Sequence, residues 1–277
     1  VRAAEKLAGL VGETADALVV LRSGARAERL GVADPYARWF VTGTGVKLCR
    51  MARRIDPVYR EYNLARYLHT TSRLRALAPG FEQALFLGAG FDFRALTLPE
   101  LAGGRLRVFE VDAPEKLDLK RRGLEARGIS LPSGNRYVPA RLERPGLRER
   151  LALAGLDPSR PVLVLAEGVL FYMPARVTAA LLAPSFLGLA PGSRWIFDCW
   201  TKDRVEGLNA RLAAAGAAAF FRAFPWKIAA QTLPGRIRRL GYRTVEMAPL
   251  EDIARRAGLE KTSDDFSRSW WLVEAAV

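Results

Sequence analysis

At 277 residues, half of them hydrophobic, the chain is long enough to bury its own core and too apolar for a disordered polymer. Its two cysteines, Cys49 and Cys199, lie far apart and form no metal-ligand spacing, which argues against a disulfide framework or a metal site and for a reducing, cytoplasmic setting. A formal charge of +14 and a pI near 10.4 raise nucleic acid as a partner, but the basic residues run evenly from Arg2 to Arg268 beside Ala, Gly, Leu and Pro; that dispersal argues against nucleic acid and leaves long-range steering of an acidic small molecule.

No leader of charged, apolar and small residues is recognisable, and no run approaches the ~20 apolar residues of a membrane span. From residue 1 to 78 apolar positions recur at three- and four-residue spacing, with breaks at Gly31-Val32-Ala33-Asp34-Pro35 and Asp56-Pro57, which predicts a helical N-terminal cap. From 79 to 277 short apolar runs alternate with amphipathic ones. Strands are expected near 83–88, 105–111, 135–139, 161–166 and 193–199, and helices near 92–98, 114–127, 144–154 and 174–189, the pattern of a parallel sheet covered on both faces. An Ala-rich helical stretch over 203–224 suggests a lid inserted at about 201–230. A helix (231–240), strand (242–248), helix (250–257) and strand (266–275) follow, so the fold class expected is α/β with a seven-stranded, Rossmann-like sheet whose last strand is antiparallel.

The densest information lies in Leu87-Gly88-Ala89-Gly90-Phe91-Asp92, after the first strand, and in Glu110-Val111-Asp112, at the end of the second. Glycines let the backbone turn sharply and approach a ligand, and an acid at the second strand's tip can grip a ribose diol. Phe93 stands where a third glycine would serve a pyrophosphate, which favours a nucleoside without one, S-adenosylmethionine first among them. Locally, a tight strand-to-helix turn would explain the glycines as well. Of the two acids, Asp112 is the stronger candidate for the ribose, and one of the pair would serve the fold instead. Glu167 follows the buried run Val162-Leu163-Val164-Leu165 and so falls at the ligand edge of the sheet.

Together with Asp34-Pro35-Tyr36-Ala37, with Arg94 and Lys120, and with Ala166-Glu167-Gly168-Val169-Leu170-Phe171-Tyr172-Met173-Pro174, these blocks resemble the leucine carboxyl methyltransferase-like, or tetracenomycin-type O-methyltransferase, branch of the class I S-adenosylmethionine-dependent methyltransferases. The resemblance implies a set of cofactor contacts. Gly88 and Gly90 would lie against the methionyl part and the ribose, Asp112 or Glu110 would take the ribose, Glu167 the methionyl ammonium and Arg66 the methionyl carboxylate. It also implies an Asp-Leu after the third strand for the adenine, and here this chain departs. It carries Arg141-Leu142, and an arginine cannot accept a hydrogen bond; the Leu142 backbone and apolar packing would then hold the ring, with Glu143 as a possible acceptor. Tyr67 and Thr71 are further departures, standing where relatives have Thr and Asp.

The activity implied is O-methylation of a small-molecule carboxylate in specialised metabolism. Rival readings are methylation of a hydroxyl on a polyketide-like scaffold, methylation of a peptide C-terminal carboxylate, and a member that has lost methyl transfer and serves as a binding protein or a non-redox shaping enzyme. His69, the only histidine, would be a general base only if the acceptor is a hydroxyl; a helix-surface or core role is the competing account. Tyr172, Trp200 and Phe221 are the candidates for acceptor contact, against the simpler account of aromatic core. Arg22 and Arg38 are cations that an acidic acceptor would meet, and nothing in the sequence selects them over other arginines.

Overall fold

The structure, a computed structural model, describes residues 15–55, 58–200, 206, 230–259 and 270–277. Its centre is a seven-stranded sheet in the order β3-β2-β1-β4-β5-β7-β6. The strands are β1 (Gln83–Leu87), β2 (Arg107–Asp112), β3 (Asn135–Pro139), β4 (Leu163–Ala166), β5 (Arg194–Trp200), β6 (Thr244–Pro249) and β7 (Trp270–Ala276). β1 to β5 pair in parallel, and β7 runs antiparallel between β5 and β6. All five residues of β1 are buried, because side chains alternate between two covered faces. Leu85 and Leu87 join Phe109, Val111, Val164 and Phe197 on one face, while Ala84 and Phe86 join Val108, Leu163, Leu165 and Ile196 on the other.

Helices α1 (15–22), α2 (Ala25–Arg29), α3 (Gly43–Ile55) and α4 (Tyr59–Leu77) precede the sheet. α4 is buried on almost every side, and its Tyr62 and Ala65 belong to the same apolar cluster as β1 and β4. The crossover helices are α5 (Arg94–Thr97), α6 (Pro99–Ala102), α7 (Pro114–Glu125), α8 (Leu147–Leu153), α9 (Ala175–Leu182) and α10 (Pro184–Leu187); α11 (Leu233–Arg239) and α12 (Leu250–Arg256) flank β6.

Two expected helices are ended by a residue that precedes a proline, the first inside its expected span and the second at its expected end. The helix expected over 174–189 stops at Leu182 because Ala183, which precedes Pro184, is extended (φ −75°, ψ 118°). The one expected over 92–98 begins at Arg94 and breaks at Leu98, which precedes Pro99 and is extended in the same way. The expected lid at 201–230 falls almost wholly outside the described residues, as does Phe221.

Candidate functional site

The carboxyl ends of β1, β2, β4 and β5 converge on one edge of the sheet, the place where open α/β sheets take ligands. After β1, Gly88 has φ +66° and Gly90 φ +45°, a region that favours glycine. A Cβ on Gly88 would come within 2.6 Å of Val169 Cγ2, so this turn is closed by side-chain packing as well as by backbone conformation. Asp112, the last residue of β2, braces the loop: its Oδ2 accepts the Gly90 N–H at 2.6 Å and its Oδ1 the Ala113 N–H at 2.7 Å.

Glu110 lies elsewhere. It is fully buried, accepts a hydrogen bond from Asn135 Nδ2 at 2.9 Å, and is ion-paired with Lys120, itself fully buried. Its carboxylate is taken up by the fold, so its candidacy for the ribose passes to Asp112 alone. Burial pushes the Glu110 carboxyl up, opposed by the Lys120 ammonium and the Asn135 amide.

Glu167 and Arg66 meet at the end of β4. Arg66, 2% exposed, donates from Nε to Glu167 Oε1 at 3.2 Å and from Nη1 to Asp198 Oδ2 at 2.9 Å, with the Trp270 ring 5.1 Å from the guanidinium carbon. The other oxygen of Glu167 accepts from Arg94 Nη2 at 2.9 Å and from the Thr70 hydroxyl at 2.5 Å. Arg94 in turn pairs with both oxygens of Asp92. Burial alone would raise the carboxyls of Glu167 and Asp92, but the neighbouring cations outweigh it: Arg94 and Arg66 hold Glu167 below its ordinary value, and Arg94, then Arg22 and Lys120, bring Asp92 to about 2.

Sequence reasoning passed over Thr70 and Asp198, and treated Arg94 only as part of a motif. The signal for Asp198 was an acid inside the apolar run Trp195-Ile196-Phe197-Asp198-Cys199-Trp200, which has to find partners if it is buried. Thr70, one helical turn from Arg66, shares its network. His69, three residues from Arg66, does not: its charged neighbours are Arg73, Arg256 and Glu274, and burial, then the two arginines, lowers its pKa. That position, on the side of α4 turned toward α12 and β7, sets His69 apart from Arg66 and Glu167.

Arg141 follows β3 and donates to Glu115 Oε1 at 2.5 Å, the Arg141 side chain being partly and the Glu115 side chain mostly exposed. Leu142 is buried in the main apolar cluster, and Glu143 is exposed. Trp200 stacks on Phe171 at 4.1 Å and meets Trp270 edge-on at 5.6 Å, so it belongs to an aromatic cluster of the core; the half-buried Tyr172 lies at that cluster's edge, 4.7 Å from Phe171.

The N-terminal helix α1 covers this edge. Ala15 Cβ would be 3.5 Å from a Cβ on Gly90, Lys116 Nζ donates to Asp16 Oδ1 at 3.2 Å, and Arg22 Nη2 donates to the Phe91 carbonyl at 2.7 Å. Between α1 and α4 remains a recess of about 10 Å³, lined by Leu18, Leu21, Arg22, Leu64, Arg66 and Glu167 among others. Arg22 is 8% exposed and its Nε has no hydrogen-bond partner among the described residues, whereas Arg38 is exposed. The guanidiniums of Arg22 and Arg94 both lie over the Tyr67 ring, at 5.0 and 4.6 Å, so this residue, which stands where the resemblance implies a threonine, is packed against two cations.

Comparison with known proteins agrees with this architecture. The chain is 32% identical over 242 residues to a provisionally named S-adenosyl-L-methionine-dependent methyltransferase of Mycobacterium ulcerans, a match covering 76% of this chain and 73% of the relative. A similarly named protein of Mycolicibacterium smegmatis is 34% identical over 179 residues, covering 64% of this chain and 53% of the relative. Among solved structures, a provisionally named methyltransferase from Thermobifida fusca superposes with a TM-score of 0.61 at 16% identity, over 96% of this chain and 93% of that one, which speaks for the fold. A DUF574 family protein from Streptomyces avermitilis gives 0.59 at 16% identity, over 84% and 90%. The sequence profile described as leucine carboxyl methyltransferase matches residues 14–185, and with the relatives this shows that the chain belongs to the leucine carboxyl methyltransferase family of S-adenosyl-L-methionine-dependent enzymes.

Proposed function

We propose that the chain transfers a methyl group to an oxygen of a small-molecule carboxylate, forming a methyl ester, as a cytoplasmic enzyme of specialised metabolism. The observation that carries this reading is the state of the titratable groups around the site. Burial pushes the Tyr67 phenol well above its ordinary value, so it stays protonated. His69 belongs to another cluster, and Glu167 is ionised but engaged by two guanidiniums and a hydroxyl. A hydroxyl acceptor with a pKa near or above about 10 benefits from a base, while a carboxylate is already ionised. Arg22, the cation on the recess that is not ion-paired with Glu167, favours an anionic acceptor further.

The residues present suit the cofactor at two of its three ends. Arg66 matches the methionyl carboxylate and Glu167 the ammonium. Each Asp112 oxygen accepts one backbone N–H and keeps a lone pair for a ribose hydroxyl. The adenine end matches less well, since Arg141 offers only donors; Glu115, drawn to that edge by Arg141, is the acceptor at hand. When bound, S-adenosyl-L-methionine supplies an electrophilic methyl on a sulfonium. The chain's own part is alignment and exclusion of water: the glycine loop, braced by Asp112, sets the backbone close, and α1 with Leu18 and Leu21 shields the edge from solvent.

Calorimetric titration with S-adenosyl-L-methionine and S-adenosylhomocysteine is expected to give micromolar binding, about −8 kcal/mol. Transfer from methyl-labelled cofactor to a panel of carboxylic acids and phenols then tests the acceptor, because mild base releases methanol from an ester and not from an ether. Label resistant to base would replace the carboxylate reading with the hydroxyl one. Absence of binding to either nucleoside would favour a protein that has lost methyl transfer, a reading for which the Arg141–Glu115 pair speaks.

A further inference from the structure

Arg66 and Glu167 are bonded to each other, and each is also tethered from behind. Glu167 keeps Arg94 and Thr70. Arg66 keeps Asp198, which is fully buried and has both oxygens engaged: Oδ2 accepts from Arg66 Nη1 and from Trp270 Nε1, each at 2.9 Å, and Oδ1 accepts the Gly168 N–H at 2.6 Å. Asp198 thus ties the guanidinium of α4 to the backbone residue that directly follows Glu167. The approach is close enough to need glycine there, since Gly168 has φ +70° and an added Cβ would come 3.1 to 3.3 Å from the Arg66 guanidinium.

An α-amino-acid end carries a carboxylate and an ammonium one carbon apart. It can enter an Arg–Glu pair by exchange, its carboxylate facing the guanidinium and its ammonium facing the carboxylate, so that one ion pair becomes two. The exchange is favourable only if the two residues hold their places when their mutual bond opens. Glu167 is held by a guanidinium and a hydroxyl. Arg66 is held by Asp198 with the Trp270 ring beneath it.

We propose that Asp198 is a positioning residue that holds Arg66 and the Glu167 backbone at the separation an α-amino-acid zwitterion requires, so that preference for the ligand's carboxylate is set by a residue that does not touch it. This rests on the reading of the site as one for S-adenosyl-L-methionine. An asparagine at 198 cannot serve all three donors, because its amide nitrogen would face one of them.

The test compares S-adenosylhomocysteine with its decarboxylated counterpart, which keeps the ammonium and lacks the carboxylate. The wild type is expected to bind S-adenosylhomocysteine at least about 100-fold more tightly, and Asp198→Asn to lower that ratio at least about tenfold. A merely structural role would weaken both ligands alike and leave the ratio unchanged, which would overturn the proposal. If Asp198→Asn does not fold, Trp270→Phe keeps a ring beneath Arg66 and removes one of the three donors; it is expected to lower the ratio several-fold, and an unchanged ratio would again overturn the proposal. A wild type that binds neither ligand would remove the cofactor reading itself, whereas a wild type that binds both equally would leave that reading standing and remove this one.

Discussion

Arg141 stands where the family resemblance implies an acid, and its geometry makes that difference testable. It donates to Glu115 in a solvent-accessible pair at the surface, an interaction worth about 0–1 kcal/mol. Arg141→Asp is therefore expected to leave stability nearly unchanged while tightening S-adenosylhomocysteine roughly tenfold, by returning an acceptor to the adenine edge. Calorimetry reads this directly, and an unaltered affinity would move the adenine away from the end of β3. Single residues also show where sequence reading reached its limit. Glu110 and Asp112 stand two apart on one strand, and the sequence favours Asp112 without excluding Glu110; the approach of Lys120 from α7 and Asn135 from β3 shows that Glu110 serves the fold. His69 and Thr70 are adjacent on α4, yet their partners come from α12 and β7 in one case and from the loop after β4 in the other.

At the scale of elements, the two glycines of the β1 loop are alike in sequence and different in cause. A Cβ on Gly88 meets Val169 at 2.6 Å, while a Cβ on Gly90 finds nothing nearer than Ala15 at 3.5 Å, an ordinary contact. Gly88→Ala is expected to cost about 2–4 kcal/mol, from overpacking and a positive φ together, and Gly90→Ala about 1–2 kcal/mol from φ alone. Adding Val169→Ala should recover part of the first loss and none of the second, as read from denaturant midpoints at constant slope. If Val169→Ala rescues neither, the turn is held by backbone conformation alone. The strand-turn-helix pattern was legible because glycine placement and hydrophobic period are local properties; the contact with Val169 was not, because it joins the ends of β1 and β4, which are neighbours only once the sheet has formed.

At the scale of the whole molecule, a charge of +14 surrounds an edge whose recess is bordered by Arg22 and Arg66. An acidic acceptor should be drawn in by the long-range field, so kcat/KM for it is expected to fall several-fold between about 0.02 and 0.5 M salt, where the screening length drops from roughly 20 to 4 Å. An uncharged acceptor measured alongside should change little; parallel behaviour of the two would remove steering from the account. What the sequence by itself determined is the alternation of apolar runs that yields a doubly covered sheet, the glycine turn after β1, and the acids at the ends of β2 and β4. These follow from periodicity, backbone conformational preference and the cost of burying charge, all of which act over a few residues. Only the tertiary structure decided that Glu110 is taken up by Lys120 and Asn135 while Asp112 braces the glycine loop, that Thr70 and not His69 joins Arg66, and that Asp198 ties Arg66 to the β4 loop. Each of those depends on partners separated in sequence, up to the 132 residues between Arg66 and Asp198, which the sheet order brings to one edge.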